Sequence, residues 1–349
     1  MFSKKKNTKG HVGIALHDGG VTLGQCTWKQ GGYQHAAVKR INKNPRDISS
    51  EDWQTYMNHA GITGSDCVLS LPPSIARHQI LRLPNMPEQE LKEAAAWEMV
   101  DRLGVERSTL QFDAIPVGSG GDVLAIAIDQ QTLSSLLDPI YAAGMYLTAI
   151  EPQCVSVART LSMLHRRQSD QSVVRCVLDF GMHDSAFMVL AGDVLVFYKH
   201  LDHSGTRLVE AIASHTNVTK DQACRMLAGP QSSNDDAEIG KAVRDATRGI
   251  HEAIATDAMK CIRHYGVTNR GPLSSQIIVA GSSGWNRHLA SVVANSCSQE
   301  VISSRETQHI CALADEIVET PGWHVALGAS LASIHQHRRG SDTTIREAA

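Results

Sequence analysis

The sequence predicts an α/β protein built from two similar lobes. Three observations carry this. A three-strand meander followed by helix and strand is written twice, about 164 residues apart. Each meander opens with a short apolar strand that runs into a tight turn. Val12–Leu16 leads into His17-Asp18-Gly19-Gly20, and Val173–Asp179 leads into Phe180-Gly181-Met182-His183. The length, 349 residues, corresponds to about two domains.

In the first half the meander continues through Val21–Trp28 and Tyr33–Arg40. A helix follows, opened by Ser49 or Ser50 and carrying Trp53, Tyr56 and Met57 at helical spacing. Cys67–Leu71 and Ile75–Leu83 read as strands. Pro87-Glu88-Gln89-Glu90 starts a helix to about Leu103, with proline and acids where a helix N-terminus favours them. Val123–Ile128 is a strand, Gln130–Ala143 a helix, Tyr146–Ile150 a strand and Glu151–Arg166 a helix. The second half starts again with strands at Val173–Asp179, Ser185–Ala191 and Val194–Lys199. Helices follow near Thr206–His215 and Thr219–Leu227, then an exposed loop from Gly229 to Asp236. A long helix, with room for one break, runs to Tyr265. Gln276–Ala280 is a strand, Gly284–Ala294 and 323–335 are helices, and the tail from His337 is polar. The expected organisation is a first lobe at 10–170 with an inserted small α/β module at about 66–148, a second lobe at 171–335, and a polar tail at 336–349. The two turns are expected to face a cleft between the lobes.

Composition excludes several classes. The net charge is −3 and aromatic residues make up 5%, which argues against phosphate-neutralising or base-stacking nucleic-acid binders. The eight cysteines form no C-x-x-C and most lie in apolar runs, as reduced core thiols do. The start, MFSKKKNTKG, is basic without an apolar run, so no signal peptide is expected. No stretch of about 18 uncharged apolar residues exists to span a membrane. The four lysines at 4, 5, 6 and 9 read as a short solvated tail, with an anionic membrane surface as the alternative.

The sharpest local signal is Asp179-Phe180-Gly181. A carboxylate at a strand end beside a glycine turn offers free N–H groups for a phosphate and an acid for hydrated magnesium. An ordinary hairpin turn gives the same letters. Gly281-Ser282-Ser283-Gly284, between a strand and a helix, lets backbone approach an anion closely. Glu151, before Pro152, is placed to orient water near a γ-phosphate, with simple helix-start charge as the alternative reading. His200 and His203 are not accompanied by a metal-ligand cluster.

Together these features resemble the actin-like ATPase superfamily, with its duplicated ribonuclease H-like lobes. Within it the chain resembles the PilM family of type IV pilus assembly proteins, and FtsA more distantly. Leu83-Pro84-Asn85-Met86-Pro87 with Glu90-Leu91 and Trp97-Glu98 matches the family's proline-flanked helix start. Asp257–Tyr265 resembles its E-I-x-x-C-L-R-Y-Y helix. Phe197-Tyr198-Lys199-His200 with Ser204-Gly205 resembles F-x-R-x-I-x-x-G-G, and Pro321-Gly322-Trp323 with Ala326-Leu327-Gly328 matches the closing helix. The resemblance spans roughly 10–335. It implies ATP and magnesium as candidate cofactors, with Asp179 on the metal and Glu151 and Asp179 as catalytic candidates. It places Asp179, Gly181, Ser185, Gly205, Asp257, Gly281, Ser282 and Ser283 at the nucleotide.

The sequence also departs from the family's pattern in both lobes. The family's first turn reads G-L-D-I-G-S-S-S-V-K, whereas here Ala15, His17 and Thr22 replace Asp, Gly and Lys. Its A-E-x-L-K becomes Ala223-Cys224-Arg225-Met226-Leu227, and its late triple glycine becomes Gly281-Ser282-Ser283. Charge-assisted hydrogen bonds contribute about 1.5–3 kcal/mol each, so losing two or three weakens nucleotide binding by a factor on the order of 10³. The expected function is therefore a cytoplasmic adaptor that binds the tail of an inner-membrane pilus or secretion protein. In this reading it is associated with the membrane through that partner, and its nucleotide site is degenerate or slow. A working magnesium-dependent ATPase stands as the alternative, at most a slow one, and a small-molecule kinase of the same superfamily ranks well behind. The partner peptide is expected between the module and the rest of the first lobe. There the helix from Glu88 to Leu103 offers Leu91, Ala94, Ala95 and Glu98, unless that stripe packs into the module's own sheet.

Overall fold

A computed structural model describes residues 8–17, 19–29, 32–118, 120–164, 173–192, 194–228, 234–269, 274, 276–281, 287–303, 313–318 and 320–333. The chain divides into two compact units. The first comprises 1–173, 190–196 and 305–349, and the second 174–189 and 197–304.

The first unit is built on a six-stranded sheet. Strands β2 (Val12–His17), β3 (Gly20–Lys29) and β4 (Gly32–Ile41) form the antiparallel meander, with the two-residue β1 (Thr8–Lys9) paired to the end of β3. Strands β5 (Asp66–Leu71) and β9 (Tyr146–Pro152) add parallel to β2, giving the order β4–β3–β2–β5–β9. Helix α1 (Ser50–His59) begins where the Ser49 hydroxyl accepts the Asp52 N–H at 3.1 Å, and it buries Trp53 and Met57.

Between β5 and β9 lies a separate antiparallel sheet, β6 (Arg77–Arg82), β8 (Asp122–Asp129) and β7 (Leu110–Val117), in the order β6–β8–β7. Helix α2 (Glu88–Leu103) covers it and buries Leu91, Ala95 and Met99 against Leu81, Val123 and Ala125. The inserted module is thus narrower than 66–148, because β5 and β9 belong to the main sheet. The sequence reading missed β7. It carries Pro116, which an edge strand tolerates because one side needs no N–H donor. Helix α3 (Gln130–Ala142), capped by Asp129, returns the chain to β9, and α4 (Gln153–Leu161) follows.

The second unit repeats the first unit's strand order. Strands β10 (Val174–Phe180), β11 (Ser185–Ala191), β12 (Val194–Leu201), β13 (Gln276–Ala280) and β14 (Glu300–Ser303) lie as β12–β11–β10–β13–β14, with β10, β13 and β14 parallel. The same path, meander first and two crossovers after, is the structural form of the sequence duplication. Helices α5 (Gly205–Thr216), α6 (Lys220–Ala228), α7 (Asn234–Asn269) and α8 (Arg287–Cys297) pack beside it. Helix α7 is one unbroken element of 36 residues. Its buried residues Val243, Thr247, His251, Ile254, Ala258, Cys261 and Tyr265 follow helical spacing.

The chain then crosses back. Helices α9 (Asp315–Val318) and α10 (Trp323–Ser330) belong to the first unit, not to a second lobe ending at 335. All eight residues of α10 are buried. It lies directly on β2 and β3, where Gly13 and Gly24 face Ala326, and its own Gly328 faces the Ser156 carbonyl of α4. A Cβ on Gly13 or Gly328 would overlap backbone atoms that have nowhere to move. Outside the described residues lie the basic N-terminal lysines at 4, 5 and 6, the loop at 229–233 and the tail from 334.

Two predictions follow from this packing. Gly13→Ala is expected to destabilise the first unit by about 2–3 kcal/mol through overpacking. Gly249→Ala, mid-helix in α7 with nothing within 4 Å of the new Cβ, is expected to stabilise the second unit by about 0.5–1 kcal/mol. Urea unfolding midpoints measure both. His251 supplies a pH dependence. It is fully buried against His288, with ring centroids 5.3 Å apart, and burial followed by the His288 charge pushes its pKa down to about 4. The unfolded chain protonates this imidazole from about pH 6.5 downward while the folded one resists until about pH 4. The unfolded state therefore holds more protons in that window, and acid removes up to ~3 kcal/mol of stability. The difference in unfolding free energy between wild type and His251→Leu should shift by that amount between pH 7 and pH 4. A constant difference would mean that this histidine is not the group that titrates.

Candidate functional site

In the second unit, the D-x-G turn is closed and clamped by backbone hydrogen bonds. Asp179 is buried near the end of β10, in register with Ala280 of β13. The Gly181 N–H donates to the Asp184 carbonyl at 2.8 Å, and a side chain at 181 would come within 2.8 Å of that same oxygen. The N-terminus of α5 grips the turn. Gly205 N–H donates to the Gly181 carbonyl at 2.9 Å, and the Thr206 N–H and hydroxyl both donate to the Met182 carbonyl at 2.8 Å. Ser185 opens β11 with its hydroxyl buried. Gly281 leaves β13 at φ +100°, pressed against the Phe180 backbone, a conformation and a proximity that only glycine accepts.

Five of the residues singled out in the sequence thus meet at one end of one sheet: Asp179, Gly181, Ser185, Gly205 and Gly281. This is the C-terminal end of parallel strands β10 and β13, where open α/β sheets place their ligands. Ser282 and Ser283 lie outside the described residues.

Asp257, on α7, reaches the segment before α5. Burial raises its carboxyl, but hydrogen bonds from Lys260 at 3.0 Å and His203 at 3.2 Å outweigh that and hold it below the usual carboxylate range. His203 is thus a partner of Asp257, and among the described residues no group of three metal-binding side chains forms. His200 lies 3.9 Å from Asp184 at the same turn.

The corresponding turn of the first unit is closed by its own chain. Thr22, fully buried in β3, donates its hydroxyl proton to the Pro321 carbonyl at 2.6 Å. The His17 ring sits 2.9 Å from the same hydroxyl, and Gly322 packs against both side chains. Ala15 is buried between Thr22 and Ser70 in the sheet. His17 and Thr22, at two of the three positions where the sequence departs from the resembling family, form a small polar contact with a loop 299 residues further along the chain than Thr22. No short-range sequence signal points to it.

Glu151 is the penultimate residue of β9, not the first residue of a helix, which starts at Gln153. Its carboxylate is held by Arg159 in two bonds of 2.7 and 2.8 Å, with side chains only 10% and 14% exposed. Ser156 adds its hydroxyl at 2.5 Å, accepting in turn from Ser70, and Arg159 also donates to the Gly328 carbonyl at 2.8 Å. This ion pair joins β9, α4 and α10. Of the helix α2 stripe, Leu91 and Ala95 are buried in the module's own core, and Glu98 pairs with Arg102 at 2.7 Å.

No protein-family profile and no curated protein matches the chain. Solved structures do. The PilM-PilN type IV pilus biogenesis complex contains a chain at 17% identity and TM-score 0.69, covering 92% of this chain and 98% of that one. The ethanolamine utilization protein EutJ from Carboxydothermus hydrogenoformans matches at 14% identity and TM-score 0.54, covering 93% of this chain and 89% of its own. The fold is therefore the two-lobed actin-like fold.

Removing one partner of a buried ion pair strands the other charge. Glu151→Ala is accordingly expected to lower the stability of the first unit by about 3 kcal/mol, read from its urea midpoint. An unchanged midpoint would release Glu151 from this structural role.

Proposed function

We propose that this chain is an actin-like adaptor of type IV pilus or related secretion assembly. It holds the cytoplasmic tail of an inner-membrane partner and works at the membrane through that partner. The observation that carries this is the likeness, over nearly the whole of both chains, to the PilM of a PilM-PilN complex. No helix among the described residues is long and apolar enough to cross a membrane, which accords with attachment through another protein. Neither the near-neutral charge nor the fold favours a nucleic-acid partner.

The nucleotide site in this reading is degenerate. The second unit keeps part of what magnesium-ATP would need: Asp179 would supply the carboxylate for a hydrated metal, at the strand ends where Gly181, Gly205 and Gly281 come together. The first unit does not fit. Thr22 is committed to Pro321, and no acid or lysine stands at the positions of Ala15 and Thr22. A site that keeps one acid and lacks these groups binds nucleotide weakly. The intact turn at Asp179 is what favours the alternative, a slow magnesium-dependent ATPase.

Calorimetric titration with magnesium-ATP and a pull-down from membranes test the two parts. We expect dissociation constants weaker than about 100 µM, on the order of −5.5 kcal/mol, together with recovery of one inner-membrane protein. Micromolar binding with phosphate release that is lost in Asp179→Ala would replace the adaptor reading by the ATPase one.

A further inference from the structure

We propose that the outward face of α2 is a docking surface for a basic, apolar segment of a protein partner, centred on Trp97. The proposal rests on the adaptor reading and names the surface and the chemistry of its occupant. Helical geometry places Glu90, Glu93, Trp97 and Asp101 on one stripe, opposite the buried Leu91, Ala95 and Met99. All four are exposed, Trp97 by 62%, and Val105 just beyond the helix is 41% exposed. A tryptophan this open on a solvent face buries little of its own surface on folding, so its area is available to a partner.

The indole is also held in place. The Arg107 guanidinium stacks 5.0 Å from the Trp97 ring centroid and 6.0 Å from that of Phe112. Glu93 anchors Arg107 at 2.5 Å. A fixed aromatic loses little rotamer freedom on binding, which is the character of an interface anchor.

Charge selects the occupant. From Glu88 to Arg107 there are six acids and three bases. Each base is already paired: Lys92 with Glu88 and Asp113, Arg102 with Glu98, and Arg107 with Glu93. Glu90 and Asp101 flank Trp97 and enter none of these pairs. An acidic rim repels an anionic bilayer and attracts Lys and Arg. The matching partner is a short peptide with two or more basic residues next to an aliphatic or aromatic one. Cytoplasmic segments bordering a membrane span have that composition.

The test uses the full chain and a fluorescein-labelled 12-residue peptide with four Lys/Arg and three Leu/Phe, read by anisotropy, beside a counterpart in which the basic residues are Glu. We expect the basic peptide to bind and the acidic one not to. Trp97→Ala and the double change Glu90→Lys with Asp101→Lys should each weaken binding at least tenfold, and Glu252→Lys, exposed on α7, should leave it unchanged. Equal binding by the charge-reversed chain, or none by wild type, overturns the proposal. A photo-crosslinking residue at 97 identifies the occupant in cells. Crosslinks to a Lys/Arg-bearing segment within about 20 residues of a membrane span support it, and crosslinks to a second copy, or to none, overturn it. If the charge-reversed chain recovers the membrane partner as well as wild type does, this surface is wrong while the adaptor reading stands. Peptide binding by wild type without any membrane partner would support the surface and sink the adaptor reading.

Discussion

The first unit depends on one close approach: α10 lying on the bare backbone of β2 and β3. Gly13 and Gly24 remove the side chains that would hold the helix off the sheet, and Gly328 lets α4 approach it from the other side. Everything nearby is arranged around that distance. The Ser330 hydroxyl accepts the Cys26 N–H at 2.9 Å, Thr160 donates to the His324 carbonyl, and Arg159 reaches the Gly328 carbonyl while holding Glu151. Interiors packed at crystal density do not stretch to admit a methyl group. The sheet, α4 and the C-terminal segment therefore form one cooperative body, although their residues lie at opposite ends of the chain.

That same seat explains the difference between the two turns. The loop that delivers α10 runs past the β2–β3 turn, and its Pro321 carbonyl takes up the Thr22 hydroxyl. The second unit has the same strand order, but its turn is clamped by the start of α5, through the Gly205 and Thr206 N–H groups and the Thr206 hydroxyl. One scaffold, written twice, closes its two turns differently: with a loop from far along the chain in one copy, and with the next helix in the other.

Much of this was legible in the sequence. Short apolar runs joined by tight turns predict both meanders, Ser49 or Ser50 the start of α1, and a long helix to Tyr265, whose expected room for a break α7 does not use. The convergence of Asp179, Gly181, Gly205 and Gly281 is implied by the family resemblance, since each turn taken alone reads equally as an ordinary connection. Other features left no local trace. Pro116 disguised β7 as a loop. Helix α10 is buried on all sides, so no polar face revealed which unit it joins. The partner of Thr22 is a carbonyl, a group every residue has, and nothing in the letters marks Pro321 as its acceptor. Glu151 finds Arg159 only because a strand and the following helix fold back on each other, which turned an expected water-orienting acid into half of an ion pair.

Helix α7 carries a consequence of its own length. Thirty-six residues at about 1.5 Å each make a rod of about 54 Å, while the five residues of β13 span only about 17 Å. Such a helix outruns the sheet it flanks. Its middle turns, with His251, Ile254 and Ala255 fully buried, separate from their neighbours only when the whole unit opens. Its outer turns carry Ile239 and Val267, 43% and 81% exposed, and have little packing to lose. Backbone amides along this single helix therefore span a gradient of local opening free energies. The low end belongs to fraying of the rod and the high end to loss of the unit itself, so one element reports both events.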